Sequence, residues 1–262
     1  MNRTPVRVSP ADYPAAYAEI LTAPAFDSSC SPEARVIYLE RDGGLFLKSS
    51  AAGTLAREAA MTRFFHTHHL AAEVLDYRTE GESDWLLTAR VPGEDATHAE
   101  NIADPAHLCR VMAEVLQILR EIPPQGCPVP DHTARYLRTA EENYRRGAYD
   151  LSYYSEDYGD ITADEAYRIV TDGASALRRC DVLHGDFCLP NIMLLDGKFS
   201  GIIDVGNGGI GDRRVDLWWG AWTLRFNLKT DVWRQYFLDA CGGTDGEDRE
   251  VFRLIAAAEC FG

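Results

Sequence analysis

Hydrophobic and polar positions change rhythm once along this chain. Up to about residue 92 the apolar residues fall in short runs; beyond it they recur at three- and four-residue intervals. Arg35-Val36-Ile37-Tyr38-Leu39-Glu40 and Leu45-Phe46-Leu47-Lys48 flank Arg41-Asp42-Gly43-Gly44. Apolar runs around a glycine-containing turn predict a β-hairpin. A helix is expected from about Thr54 to His68, with Leu55, Thr62, Phe65 and His69 along one face. Two further strands, Glu73–Arg78 and Trp85–Val91, flank the polar turn Thr79-Glu80-Gly81-Glu82-Ser83-Asp84.

Pro92-Gly93 breaks this pattern. Leu108, Val111, Met112, Val115, Leu116 and Leu119 then form the stripe of an amphipathic helix. A rigid Pro123–Pro128 loop follows, and helices are expected at about 132–146, 163–178, 213–228, 230–240 and 247–259. Ile192–Leu195 and Gly201–Asp204 read as short strands around Asp196-Gly197-Lys198. The expected class is therefore α+β: a β-rich N-terminal lobe over residues 1–92 and a mainly helical C-terminal lobe over 93–262. A ligand would lie in the crevice between two such lobes.

Composition narrows the setting. With 262 residues, 46% of them hydrophobic, the chain can bury a substantial core as one large domain or two lobes. No apolar run approaches the length of a membrane span, and the first residues lack the apolar stretch of a secretory signal, so a cytoplasmic protein without a membrane partner is expected. The seven cysteines are scattered, with no C-x-x-C pair, and read as reduced thiols. His66, His68 and His69 are read as a solvated helix end in preference to a metal site. A net charge of −15 argues against a nucleic-acid partner, because phosphate backbones demand basic patches. It suits a cationic small molecule drawn into a negative groove.

The chemistry is concentrated in His184-Gly185-Asp186-Phe187-Cys188-Leu189-Pro190-Asn191 and, shortly after, Ile203-Asp204-Val205-Gly206. Phosphoryl transfer from ATP uses one carboxylate to orient the attacking hydroxyl, and an amide oxygen and a second carboxylate to hold Mg²⁺ on the phosphates. Asp186 fits the first role; Asn191 and Asp204 fit the second, as oxygen donors suited to a hard cation. A turn between strands with no function would not need all these polar residues at these spacings. Lys48 ends an apolar strand, where a buried ammonium needs partners, and Glu58 lies on the next helix. A strand lysine paired with a helix glutamate steadies the nucleotide phosphates in kinases.

The two motifs are cognate to the H-R-D-x-x-x-x-N and D-F-G segments of protein kinases, with Gly185 in place of the arginine. They resemble more closely those of the antibiotic kinases, the aminoglycoside 3'-phosphotransferases above all. Ile203 to Leu217 resembles that family's I-D-x-G-R-x-G-x-A-D-R-x-x-D-L, with Asn207 where the family has arginine and Gly211 where it has alanine. The resemblance runs from Val36 to Phe261. It implies a bilobal protein-kinase-like fold, ATP as phosphoryl donor with GTP as an alternative, Mg²⁺, and a monomer or weak dimer. It further implies a phosphate contact from Ser31, within Asp27-Ser28-Ser29-Cys30-Ser31-Pro32, and adenine contacts from the Ala89 carbonyl and Val91 N–H. Gly147–Asp157 is similar to the family's acidic substrate-binding insert, and the chain end to its D-E-F-F terminus. Glu156, Asp157 and Glu259 thereby become the implied contacts for the amines of an aminoglycoside. Asp212 and Asp216 are expected to anchor the catalytic core.

The expected activity is phosphorylation of an aminoglycoside hydroxyl, conferring resistance. Two rivals remain open at this point. One is a kinase for choline, a macrolide or an amino sugar, which Asn207 favours. The other is a non-catalytic nucleotide-binding protein, against which the intact Lys48, Asp186, Asn191 and Asp204 argue. A protein kinase is disfavoured by the lack of an A-P-E segment and of a glycine-rich loop.

Overall fold

The alternating apolar residues of the first third of the chain build an antiparallel sheet. Its strands are β1 (Thr4–Pro5), β2 (Ala25–Asp27), β3 (Arg35–Leu39), β4 (Leu45–Ala51), β5 (Val74–Glu80) and β6 (Ser83–Ala89), in the order β1-β2-β3-β4-β6-β5. Further strands are β7 (Glu94–Asp95), β8 (Asp181–Leu183), β9 (Ile192–Leu195), β10 (Lys198–Ile202) and β11 (Gly209–Gly211). The helices are α1 (Ala56–Thr67), α2 (Ala99–Ile102), α3 (Pro105–Glu121), α4 (His132–Arg146), α5 (Ser152–Tyr158), α6 (Ala163–Gly173), α7 (Arg214–Leu228), α8 (Asp231–Ala240) and α9 (Gly246–Glu259). The computed structural model describes residues 3–262.

Two compact units result. The first takes the chain up to Asn101 together with Pro190–Gly206; the second takes Ile102–Leu189 and Asn207–Gly262. These units differ from a single division after residue 92, because β7 pairs with β9 and β9 with β10, which ties the 190–206 hairpin to the first unit. Pairing over that distance in sequence leaves no trace in local periodicity.

In the first unit, period-two alternation sorts β4 into two faces. Leu45 and Leu47 join Ile37, Leu39 and Leu87 in a core closed by Tyr13, Tyr17 and Leu21 from the N-terminal turns. Phe46 and Lys48 therefore point to the opposite side, where Lys48 is in register with Val36 on β3 and Leu86 on β6. Helix α1 starts two residues later than expected. The carboxylate of Asp84, wholly buried, accepts the Leu55 N–H at 2.9 Å and so fixes where the helix begins. The same burial draws Asp84 into β6, which shortens the predicted polar turn to Gly81-Glu82.

Gly93 has φ +97°, and a Cβ there would lie 2.0 Å from the Leu194 carbonyl oxygen, beside the β7–β9 pairing. No L side chain fits without moving one strand. Gly93→Ala is expected to destabilise the protein by about 3 kcal/mol or more, adding an overlap to a strained backbone. An unchanged melting temperature would show that the β7–β9 approach is looser than this.

The second unit is helical around the small β8–β11 ladder. Helix α3 buries Leu108, Val111, Met112, Val115, Leu116 and Leu119, the predicted stripe. It packs on α8, while α9 packs on α5, α6 and α7. Helix α6 stops at Gly173, short of the expected 178, and continues as a single 3-10 turn over Ala174–Ala176. No described helix is long and apolar enough to cross a membrane.

Candidate active site

The unpaired face of β3, β4 and β6 in the first unit walls a cavity of about 200 Å³. Phe46, Lys48, Leu86 and Thr88 line it because they alternate with the core positions, and Ala89 and Val91 line it where β6 runs out. Ser28, Cys30 and Ser31 border it as well; the Ser31 hydroxyl faces Glu33 and lowers the pKa of that carboxyl. Arg3 lies 4.0 Å over the Tyr38 ring and also borders the cavity. Nothing in the sequence singled out Arg3, which precedes the two-residue β1.

At one end of the cavity a buried cation holds two carboxylates. Lys48 Nζ donates to Glu58 Oε2 at 2.8 Å and Oε1 at 2.9 Å, and to Asp204 Oδ1 at 2.9 Å. Burial alone would pull the Lys48 ammonium down in pKa; Asp204 and Glu58 outweigh it and hold it above its ordinary value. Burial likewise pushes the Glu58 carboxyl up, against the pull of Lys48. The strand lysine and helix glutamate expected from sequence do meet.

Asp204 sits in the left-handed region at φ 54°, which explains why β10 stops at Ile202 and not at the predicted 204. An aspartate tolerates that backbone better than most residues. The turn is pinned on both sides: Ile203 N–H donates to the Asn191 carbonyl at 3.0 Å, and Arg57 Nε donates to the Gly206 carbonyl. Asn191, buried, and Asp204, half-exposed, both face the cavity. Carboxylate and amide oxygens are donors of the kind a hard divalent cation takes. Among the described residues no three His, Cys, Asp or Glu side chains cluster as a self-sufficient metal site.

The loop bearing Asp186 belongs to the second unit. Asp216, fully buried on α7, accepts the N–H groups of His184 and Gly185, each at 2.8 Å. Gly185 has φ +84°, and a Cβ on it would meet the Asn207 carbonyl at 2.1 Å. The HGD run therefore needs its glycine. Burial raises the Asp216 carboxyl to about 6 despite those two donors. Asp212 binds Arg214 at 2.7 Å in a buried ion pair and accepts the Arg178 N–H. Asp216 thus anchors the loop that carries Asp186, and Asp212 ties the chain before β8 to the start of α7.

Of the three implied acceptor contacts, Glu259 is the one held by hydrogen bonds in a buried setting. Glu259 on α9 accepts from Tyr136 Oη at 2.8 Å and Trp219 Nε1 at 3.0 Å, both on Oε1. Burial first, then the charge of Asp186, raises its carboxyl to about 8. Asp157 does not fit its implied role. Its carboxylate is taken up by Arg234, at 2.6 and 2.7 Å, and by Arg225, so it presents no net negative charge to an amine. Glu156 is exposed, and its carbonyl receives Arg225. Sequence reading missed these arginines because α7 and α8 lie about seventy residues downstream. It also missed Tyr136 and Trp219 on Glu259, and Tyr153 and Trp222 beside Trp219, although the W-W-x-x-W spacing on α7 was visible.

The raised Glu259 pKa has a sign. A carboxyl near 8 in the folded protein and near 4.5 unfolded binds its proton more tightly when folded. Its contribution is complete at pH below the unfolded value and is lost as pH rises towards 8, by an upper limit of about 5 kcal/mol. Denaturant titrations between pH 5 and 8 are expected to show stability falling in the wild type and a flatter profile in Glu259→Gln. Parallel profiles would mean that Glu259 is ionised throughout.

An α+β fold with a lysine–glutamate–aspartate cluster in one unit and an anchored HGD loop in the other defines a kinase-like phosphotransferase. The model of the phosphotransferase enzyme family matches residues 31–254, and the chain belongs to that family. It is 38% identical to a probable aminoglycoside 3'-phosphotransferase of Lactococcus lactis over 262 residues, 100% of this chain and 99% of that protein. An aminoglycoside 3'-phosphotransferase of Niallia circulans is 28% identical over 189 residues, 72% of this chain and 71% of its own. The aminoglycoside phosphotransferase APH(3'')-Id of Streptomyces rimosus, solved in complex with ADP and streptomycin, has the same fold. Its TM-score is 0.72 at 24% identity, covering 97% of this chain and 96% of that one.

Proposed function

We propose that this protein transfers the γ-phosphoryl group of ATP to a hydroxyl of an aminoglycoside, the 3'-hydroxyl being the acceptor, in the cytoplasm and as a monomer or weak dimer. The observation that carries the reading is the Lys48–Glu58–Asp204 cluster with Asn191 at the end of an apolar cavity. A nucleotide base suits the apolar walls, with the Ala89 carbonyl and Val91 N–H as its backbone partners and Ser31 on the phosphates. Lys48, steadied by Glu58, holds the α- and β-phosphates. Asn191 and Asp204 hold Mg²⁺, which neutralises charge on the phosphates when bound.

Asp186 orients the acceptor hydroxyl. The hydroxyl oxygen forms a bond to the γ-phosphorus as the bond to the β-bridging oxygen breaks; ADP departs with that electron pair, and Asp186 receives the proton. Glu259 takes an ammonium of the acceptor, which releases the proton that burial keeps on it near neutral pH. The kinship with 3'-phosphotransferases over the whole chain supports the regiochemistry. Asn207, in place of the family arginine, favours the second reading, a kinase for choline, a macrolide or an amino sugar.

A coupled ADP-release screen against kanamycin, neomycin, streptomycin, a macrolide and choline separates the two. Turnover with kanamycin and neomycin is expected. Turnover with choline or the macrolide alone would replace the aminoglycoside reading with its rival.

A further inference from the structure

One corner of the first unit's cavity holds hydrogen-bond donors with nothing to bond. Arg3, half-buried just before β1, lays its guanidinium 4.0 Å over the Tyr38 ring and 5.7 Å over that of Phe46. Tyr38 on β3 is in register with Phe46 on β4, and Phe46 with Thr88 on β6. That level is two residues along the strands from Val36, Lys48 and Leu86, roughly 6.6 Å. It lies towards Ala89 and Val91, away from the Lys48 cluster.

Gly44 shows how closely this corner is packed. It has φ +109°, and a Cβ there would lie 2.9 Å from the Tyr38 ring and 3.0 Å from Arg90 Cδ. Arg90 therefore shares the corner with Arg3, and both border the cavity. Arg90 Nη2 donates to the Gly93 carbonyl at 2.8 Å and to Glu94 at 3.2 Å. Yet Nε of Arg90 and Nε of Arg3 are both buried with no hydrogen-bond partner among the described residues. A buried donor left unpaired is costly, and two at one corner call for an acceptor that arrives with a ligand.

The rest of the cavity selects that ligand. Phe46, Leu86, Val91 and Ile202 wall it with apolar surface, and the ammonium suited to phosphates stands at the other end. The nucleoside half of a nucleotide meets both demands. Its base is flat and apolar-faced, base and ribose carry acceptors, and a guanidinium stacks on aromatic planes while donating in its own plane.

We propose that Arg3 is a nucleotide-binding residue, which rests on Tyr38 and donates to the base or ribose of the phosphoryl donor. The inference rests on the nucleotide site of the proposed function. It adds a contact from outside the matched family region, which begins at residue 31.

Calorimetric titration of the full-length protein with ADP and with ATP, each with Mg²⁺ and without acceptor, tests it. Arg3→Ala is expected to weaken both nucleotides about fivefold or more, and by the same factor. Arg3→Lys keeps the charge without the planar stack and should recover only part of the loss. Inorganic triphosphate, which has no nucleoside, should bind the wild type and Arg3→Ala alike. In turnover, the KM for ATP should rise while that for kanamycin stays within twofold. If Arg3→Ala does not fold, Arg3→Lys decides by the same comparison. Unchanged or tighter ADP binding overturns the assignment and, with kanamycin still phosphorylated by the wild type, leaves the phosphotransferase reading intact. An equal loss for inorganic triphosphate also overturns it, by moving Arg3 to the phosphates. Weakened ADP binding in a protein that phosphorylates no acceptor keeps Arg3 and removes the aminoglycoside reading. A wild type that binds neither nucleotide removes both.

Discussion

Asp186→Ala is expected to lose phosphoryl transfer by a factor of about a thousand or more while binding ATP within a few-fold of the wild type. The structure separates the two effects. Lys48, Glu58, Asn191 and Asp204 all border the cavity of the first unit, and Lys48 is held by Glu58 and Asp204. The loop itself is fixed by Asp216 through the His184 and Gly185 N–H groups, and by Leu189 N–H donating to Thr223 Oγ1 at 3.2 Å. Alanine therefore removes a carboxylate without releasing the backbone that carries it, and the melting temperature should hold. Asp186→Asn should fare little better, since an amide keeps the shape but accepts no proton. In a sensitive bacterium the wild type should raise resistance to kanamycin, and the variant should not. Tobramycin, which lacks the 3'-hydroxyl, should be unaffected by either. Turnover within tenfold of wild type would remove Asp186 from the reaction; equal resistance to tobramycin would move the chemistry to another hydroxyl.

What could be read from sequence follows the range of the interactions involved. The β3–β4 hairpin and the α3 stripe were legible because alternation and helical period are local, and because Gly43-Gly44 announces its turn. The lysine–glutamate pair was legible from a strand end and the helix after it. Asp212 and Asp216 were legible as anchors because they follow the second motif at short range. The fate of Asp157 was not. An acidic residue in a short helix reads as available until Arg225 and Arg234 arrive from α7 and α8. Glu259 shows the opposite failure. Its acidity suggested a charged contact, whereas deep burial and the charge of Asp186 keep its carboxyl protonated near neutral pH, against the pull of Tyr136 and Trp219. The return of Pro190–Gly206 to the first unit was hidden for the same reason, since its pairing partner β7 lies about a hundred residues earlier.

Replacing Asp204 tests the metal and the nucleotide end together, and Lys48 supplies the contrast. Asp204 is half-exposed, so its bond to Lys48 is screened and contributes within about 1 kcal/mol to stability. Asp204→Ala leaves Lys48 paired with Glu58 on both carboxylate oxygens, at 2.8 and 2.9 Å. The fold should therefore melt close to wild type in the absence of nucleotide. Turnover should nearly vanish at ordinary Mg²⁺ and recover in part when Mg²⁺ is raised, because one of the two proposed protein ligands has gone and Asn191 remains. Lys48→Ala should behave differently. It strands Glu58, a largely buried carboxyl already pushed up in pKa, without its cation, at a cost of about 3–5 kcal/mol unless the group takes up a proton. Lys48→Ala should therefore lower both stability and turnover, with the stability loss shrinking at acidic pH as Glu58 is protonated. Thermal melts and ADP release measured over a series of Mg²⁺ concentrations read both variants. Full activity of Asp204→Ala at ordinary Mg²⁺ would exclude Asp204 as a ligand. A Lys48→Ala protein as stable as Asp204→Ala would show that Glu58 finds another partner, and that the lysine serves the nucleotide alone.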